Sequence, residues 1–270
     1  MRPPPLPPAM INRLVLLLVF LPLTSPLSAP IPRRALPAFL AAPLLPLSLP
    51  AFADEPAAPA SSPPALGPSI YDFSVPILNT NKPLSSVLPT PRPPAVLLVN
   101  IKQDDPLSRL NIPQMISLAR RHPELYVVAV PSDQGYYEPD TSALLRLKLS
   151  SEYGYGALPN NVLTDKQNLL GTAAAPLMRY LESTCRTPSG LGRIELNYEK
   201  FLIDGRTGRP LRRYPRKYAP LDIEEDVLAV IAGQELPPPG KNWREEWREA
   251  ELEAGRSEYA FKKGLNYYDM

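Results

Sequence analysis

An α/β domain with a central mixed sheet flanked by helices is the fold class this sequence predicts, and three stretches predict it. Between Pro94 and Pro106 an apolar run, Val96 to Val99, stops at a polar loop; a run bounded by turn formers suits a strand covered on both faces. Leu125 to Val130 is a second such run, ended by Pro131, and a segment of helical spacing lies between the two. Lys200 to Tyr214 reads as a hairpin whose turn uses Gly205 and Gly208, with an amphipathic helix after it.

The chain begins outside that domain. Its 270 residues include 38 prolines, far above the usual share of about 5%, crowded into the first hundred positions. Met10 to Ala29 has a charged start, the short apolar core Leu14–Leu21 and a small-residue end, the form of a secretory signal. A second unit follows: Arg33-Arg34, an Ala/Leu/Pro stretch, then Ala51-Phe52-Ala53 before Asp54. Prolines at 37, 43, 46 and 50 exclude a membrane helix there. Two tandem signals resemble the leaders of proteins sent to the thylakoid lumen of complex plastids, so residues 1–53 are expected to be a disordered bipartite targeting leader. The resemblance places the protein in that lumen, with secretion as the alternative. Residues 54–68, rich in Pro, Ala and Ser, read as a linker.

Arg2, Arg13, Arg33 and Arg34 all precede the first acid, Asp54; without them the 29 basic residues become 25 against 27 acids, about −2. That balance gives no reason to expect nucleic acid as a partner. One cysteine (Cys185) and one histidine (His122) exclude an intramolecular disulfide and leave no set of ligands for zinc. No cofactor, metal or membrane span of the mature chain is expected.

Tyr71 to Val75 reads as an edge strand of the sheet and 95–101 as its central strand. Asn111 is placed to cap a helix running to about Arg121, with Ile112, Met115, Ile116 and Ala119 on one face. Thr141 to Ser151 and Ala175 to Ser183 read as helices, the former with Leu144, Leu145, Leu147 and Leu149 apolar. Leu221 to Ala232 turns Ile223, Val227, Val230 and Ile231 inward. Strand, helix, strand, helix, hairpin, helix is the element order of a thioredoxin-like domain. Reactive groups in such sheets collect at the carboxyl end of a central strand. Here that end, Lys102 to Asp105, holds no cysteine, serine or histidine.

Five pieces in one order resemble the glutathione peroxidase family: Tyr71-Asp-Phe-Ser-Val75; Leu97-Leu-Val-Asn-Ile101; Val130-Pro-Ser-Asp-Gln134 with Glu138-Pro139; Asn197-Tyr-Glu-Lys-Phe-Leu-Ile-Asp-Gly205; and Arg213-Tyr214 with Pro220. The similarity covers about 69–233. It implies a thioredoxin-like fold and a catalytic tetrad, but a damaged one. The peroxidatic position falls on Asp105, the glutamine on Gln134, the tryptophan on Leu196 and the asparagine on Asn197. A carboxylate at a helix start cannot form a sulfenic acid and pass oxidation to a thiol. Cys185 is the alternative nucleophile, and glutathione the expected partner only if the chain is active.

Two further features invite a binding role. Arg209, Arg212, Arg213, Arg216 and Lys217 put five basic residues in nine positions, an expected anion or acidic-partner patch. Past Pro237-Pro-Pro-Gly240, residues 241–263 look helical, with Trp243 and Trp247 on one face and Tyr259, Phe261, Leu265, Tyr267 and Tyr268 beyond. Residues 234–270 are expected to form a hinge and docking arm for a larger assembly, such as a thylakoid membrane complex. A degenerate relative acting as a lumenal binding or structural component is the leading expectation; an active thiol-dependent peroxidase is the alternative.

Overall fold

The computed structural model describes residues 67–132, 140–240 and 242–256. The chain divides into two units, Met1–Pro59 and Ala60–Met270, and every described residue belongs to the second. The expected leader, most of the linker, Gln134, and Tyr259 to Tyr268 lie outside the described residues.

After a 3-10 turn at Ile70–Asp72 the elements are β1 (Ser74–Ile77), β2 (Thr80–Pro83), α1 (Leu84–Val87), β3 (Ala95–Ile101), α2 (Ser108–Arg121), β4 (Leu125–Pro131), α3 (Ser142–Tyr153), β5 (Asn161–Leu163), α4 (Pro176–Thr184), β6 (Lys200–Asp204), β7 (Arg209–Tyr214), a 3-10 turn at Pro220–Ile223, α5 (Glu224–Ile231) and α6 (Trp243–Ala254). The five-stranded sheet has the order β5-β4-β3-β6-β7. Within it β3 runs parallel to β4 and antiparallel to β6.

Strand β3 is buried along its whole length, as a strand with two covered faces must be. Ala95, Leu97, Val99 and Ile101 point into a core shared with α2, α3 and α5, while Val96 and Leu98 point into one shared with α4 and the N-terminal elements. The period of two therefore assigns the layers. The hairpin turn comes so close to the preceding loop that a Cβ on Gly205 would lie 2.1 Å from the Pro93 carbonyl oxygen, and Gly208 sits at φ +75°.

Two expectations need correction. Tyr71–Val75 is no edge strand of the main sheet: Ser69 caps a turn at Ile70–Asp72, and β1 pairs only with β2, through Leu78 and Asn79 at positive φ. Asn111 does not cap α2, which starts three residues earlier; it lies inside the helix, its amide bonded to the Leu107 carbonyl. In α3 only Leu145 and Leu149 are buried; Leu144 and Leu147 face solvent.

Candidate functional site

The carboxyl end of β3 folds into a tight loop before α2. Ser108 Oγ donates to the Lys102 carbonyl at 2.8 Å, and the Ser108 N–H reaches the Asp105 carbonyl at 2.9 Å. Pro106 fits because its position needs no N–H. Asp105 then points its carboxylate back over the helix start, where Oδ1 accepts the Leu107 N–H at 2.9 Å.

The loop before β6 arrives beside it. Tyr198 takes φ +64°, an uncommon conformation for a residue with a side chain. Neighbours on the end of β3 hold it: the Tyr198 N–H donates to the Asn100 carbonyl at 2.7 Å, and Asn100 Nδ2 donates to the Leu196 carbonyl at 3.0 Å. The Tyr198 hydroxyl donates to the Lys102 carbonyl at 2.8 Å and lies 2.7 Å from Ser108 Oγ. This backbone carries Asn197 to the loop, where Nδ2 donates to Asp105 Oδ2 at 3.3 Å.

Arg216 completes the group. Its Nη2 donates to Asp105 Oδ1 at 2.8 Å, and Arg216 and Asp105 are each only 2% exposed. On the other side Arg216 Nη1 lies 3.0 Å from Glu253 Oε1 of α6. A buried pair of this kind contributes little net stability, but removing one partner typically costs about 3–5 kcal/mol, because a bare charge is left behind. Beside Asp105 a polar cleft of about 520 Å³ is lined by Gln103, Asp104, Ser108, Arg109, Glu152 and Tyr153. Among the described residues no cluster of His, Cys, Asp and Glu is suited to a metal ion.

No family model matches the chain. Glutathione peroxidase 1 of Sus scrofa is 31% identical over 186 residues, spanning 61% of this chain and 89% of that protein. The chain belongs to the glutathione peroxidase family. Glutathione peroxidase 1 of Pongo pygmaeus is 30% identical over 62% of this chain and 93% of its own length. The chloroplastic phospholipid hydroperoxide glutathione peroxidase 1 of Arabidopsis thaliana is 28% identical over 51% of this chain and 57% of its own. A solved structure of T. cruzi GPX1 is 20% identical over 61% of this chain and 97% of that one, with a TM-score of 0.47.

In this glutathione peroxidase relative, Asp105 and Asn197 meet. Leu196 faces elsewhere: it is buried in a small cluster with Trp247 and Ala250 of α6. Cys185 does not join them. It sits at the end of α4 in the core layer on the other side of the sheet, 3% exposed. Burial pushes its thiol up to about 12, with Arg213 a smaller opposing influence. A nucleophilic cysteine needs the opposite environment.

The basic cluster is not a free patch. Arg212 Nη1 pairs with Asp226 at 2.6 Å, Arg213 Nε with Glu199 at 2.7 Å and Arg216 with Asp105, while Lys217 lies 3.5 Å from Glu253. Arg209 stays exposed. Sequence counts charges along the chain, whereas the partners are acids elsewhere in it: Asp226 and Glu253 carry no motif, and Glu199 lies inside one without being singled out by it.

The tryptophan pair is corrected likewise. Trp243 Nε1 donates to the Arg213 carbonyl at 3.0 Å, and Trp247 is 5% exposed, its ring 5.5 Å from the Arg213 guanidinium carbon. Trp247 is spent on the chain's own domain, and Trp243 is partly buried against it. Among the described residues no helix is long and apolar enough to cross a membrane.

Proposed function

We propose that this family member has lost peroxidase chemistry and persists as a binding or structural component. The observation that carries the reading is the carboxylate of Asp105, at the family's peroxidatic position, neutralised by Arg216 inside the protein. Peroxide reduction requires a thiolate or selenolate that attacks the O–O bond, releases the alcohol or water and leaves a sulfenic or selenenic acid for a thiol to reduce. A carboxylate has no such redox cycle. Burial of Leu196 at the tryptophan position, and of Cys185 in another core layer, supports the same reading.

The compartment we propose is the plastid, by way of the paired signals in residues 1–53, with the thylakoid lumen as destination. The chloroplastic relative in Arabidopsis thaliana is in keeping with a plastid but does not reach as far as the lumen. A larger assembly there is the proposed partner, through a surface other than the tryptophan pair.

Turnover decides the central point. Purified protein given hydrogen peroxide or a lipid hydroperoxide, with glutathione or thioredoxin as reductant, is expected to match a thiol-blocked control. Activity above that control would overturn the reading, and its disappearance in Cys185→Ser would name the nucleophile.

A further inference from the structure

The residue at position 105 has a use that peroxide chemistry does not explain. Arg216 stands between two carboxylates from distant parts of the chain, Asp105 at 2.8 Å and Glu253 at 3.0 Å. One belongs to the loop at the end of β3 and the other to the last turn of α6. We infer that Asp105 is the buried counter-ion of a latch that, through Arg216, holds α6 against Leu196.

The electrostatics require both acids. A guanidinium only 2% exposed is costly unless its charge is met, and Asp105 is the one of the two acids that is fully buried with it. Asp105 is itself held by Leu107 N–H and Asn197 Nδ2, so the arginine is aimed and not merely neutralised. Aimed in this way, its other nitrogen faces Glu253, and Lys217 adds a weaker contact to the same residue at 3.5 Å. A neutral residue at 105 would leave Arg216 to Glu253 alone.

The helix it holds is built to be held. Pro237, Pro238, Pro239 and Gly240 separate it from α5, so it cannot be carried by continuation of a helix. Several polar atoms at its seat make no hydrogen bond: Arg216 Nε and Nη1, Trp247 Nε1, Glu246 Oε2 and Glu253 Oε2, so Arg216 Nη1 meets Glu253 as an ion pair alone. Unsatisfied groups weaken an interface relative to a core layer, so α6 is a unit that opens below the free energy of global unfolding. Opening would uncover Leu196 and the Arg213 guanidinium together, the two groups Trp247 now covers.

The chain's two tryptophans both lie in α6, so full-length protein reports its own latch. In Asp105→Asn and in Glu253→Gln, acrylamide quenching of the tryptophans is expected to rise, and native-state hydrogen exchange of α6 amides to quicken by roughly tenfold or more, with β3 amides unchanged. The double variant is expected to add little to the larger single effect, because both acids act through Arg216. Where Asp105→Asn fails to fold, Glu253→Gln is read at the other end: the Leu107 amide, which Asp105 accepts, is expected to exchange faster, as coupling is reciprocal. Unchanged α6 exchange in both single variants, or strictly additive effects, would overturn the latch. Neither readout involves turnover, so peroxidase activity in the native chain would remove the functional reading above and leave this one standing.

Discussion

Leu196 and Trp247 are buried together in one small apolar cluster, with Ala250 beside them. The helix beyond the proline hinge is therefore part of the domain's packing. Truncation after residue 237 is expected to lower the melting temperature by several degrees, measured by far-UV circular dichroism because truncation removes both tryptophans. Trp247→Ala alone should cost about 3–5 kcal/mol in urea unfolding. A truncated domain as stable as the full chain would show that the contact is incidental.

Cys185 gives the second prediction. Burial raises its thiol to about 12, and it is the chain's one cysteine, so any thiol signal is its own. At pH 8 the native protein is expected to react with a disulfide reagent far more slowly than the same protein in denaturant. Rapid stoichiometric reaction without denaturant would restore the thiol-peroxidase alternative.

How much was legible follows from where the information sits. Val96 to Val99 and Leu125 to Val130 announce buried strands because two covered faces leave no room for polar residues, and both expectations hold in β3 and β4. Asp105 and Asn197 were legible only as separate family positions; their contact across 92 residues is made by the folded loops. The meaning of Arg216 was not legible. Its acid lies 111 residues away, and nothing local separates a solvated arginine from a buried one. The start of α2 was misread for a related reason: Asn111 looks like a cap, but the Leu107 N–H is claimed by a carboxylate that only the folded loop delivers. The tryptophan pair was correctly placed on one helical face, yet periodicity says that a face is buried without saying by what.

Lys200 gives a pH prediction. Its Nζ is fully buried and donates to the carbonyls of Tyr198, Pro215 and Arg216 at 2.8, 3.3 and 2.9 Å. Burial lowers its pKa from 10.5 to about 7, although Glu246 and Glu199 pull the other way. Between those values the unfolded chain binds more protons than the folded one, so stability rises with pH; below about 7 both states are protonated and the burial cost is fully present. Urea midpoints should climb from pH 7 to 8, where the Cys185 thiol of the unfolded chain is still mostly protonated; above that its ionisation offsets the gain. In Lys200→Met that climb should flatten. An equal slope in both proteins would mean that Lys200 is not the group responsible.

The last prediction exchanges the two residues that open this section. Leu196 stands at the family's tryptophan position, and the tryptophan clustered with it comes from a helix outside the family resemblance. If the two share one volume, Leu196→Trp alone overpacks a site already filled, and overpacking typically costs about 1–3 kcal/mol. Trp247→Leu alone leaves a void and should cost more, about 2–5 kcal/mol, the range for large core truncations. Together they conserve the total volume, so the double variant should be more stable than the sum of the single losses predicts, with a coupling of about 0.5–3 kcal/mol. Urea unfolding of the four proteins in one cycle measures this. Simple additivity would show that Trp247 does not occupy the space an indole at 196 would need, and that the two tryptophan positions are unrelated.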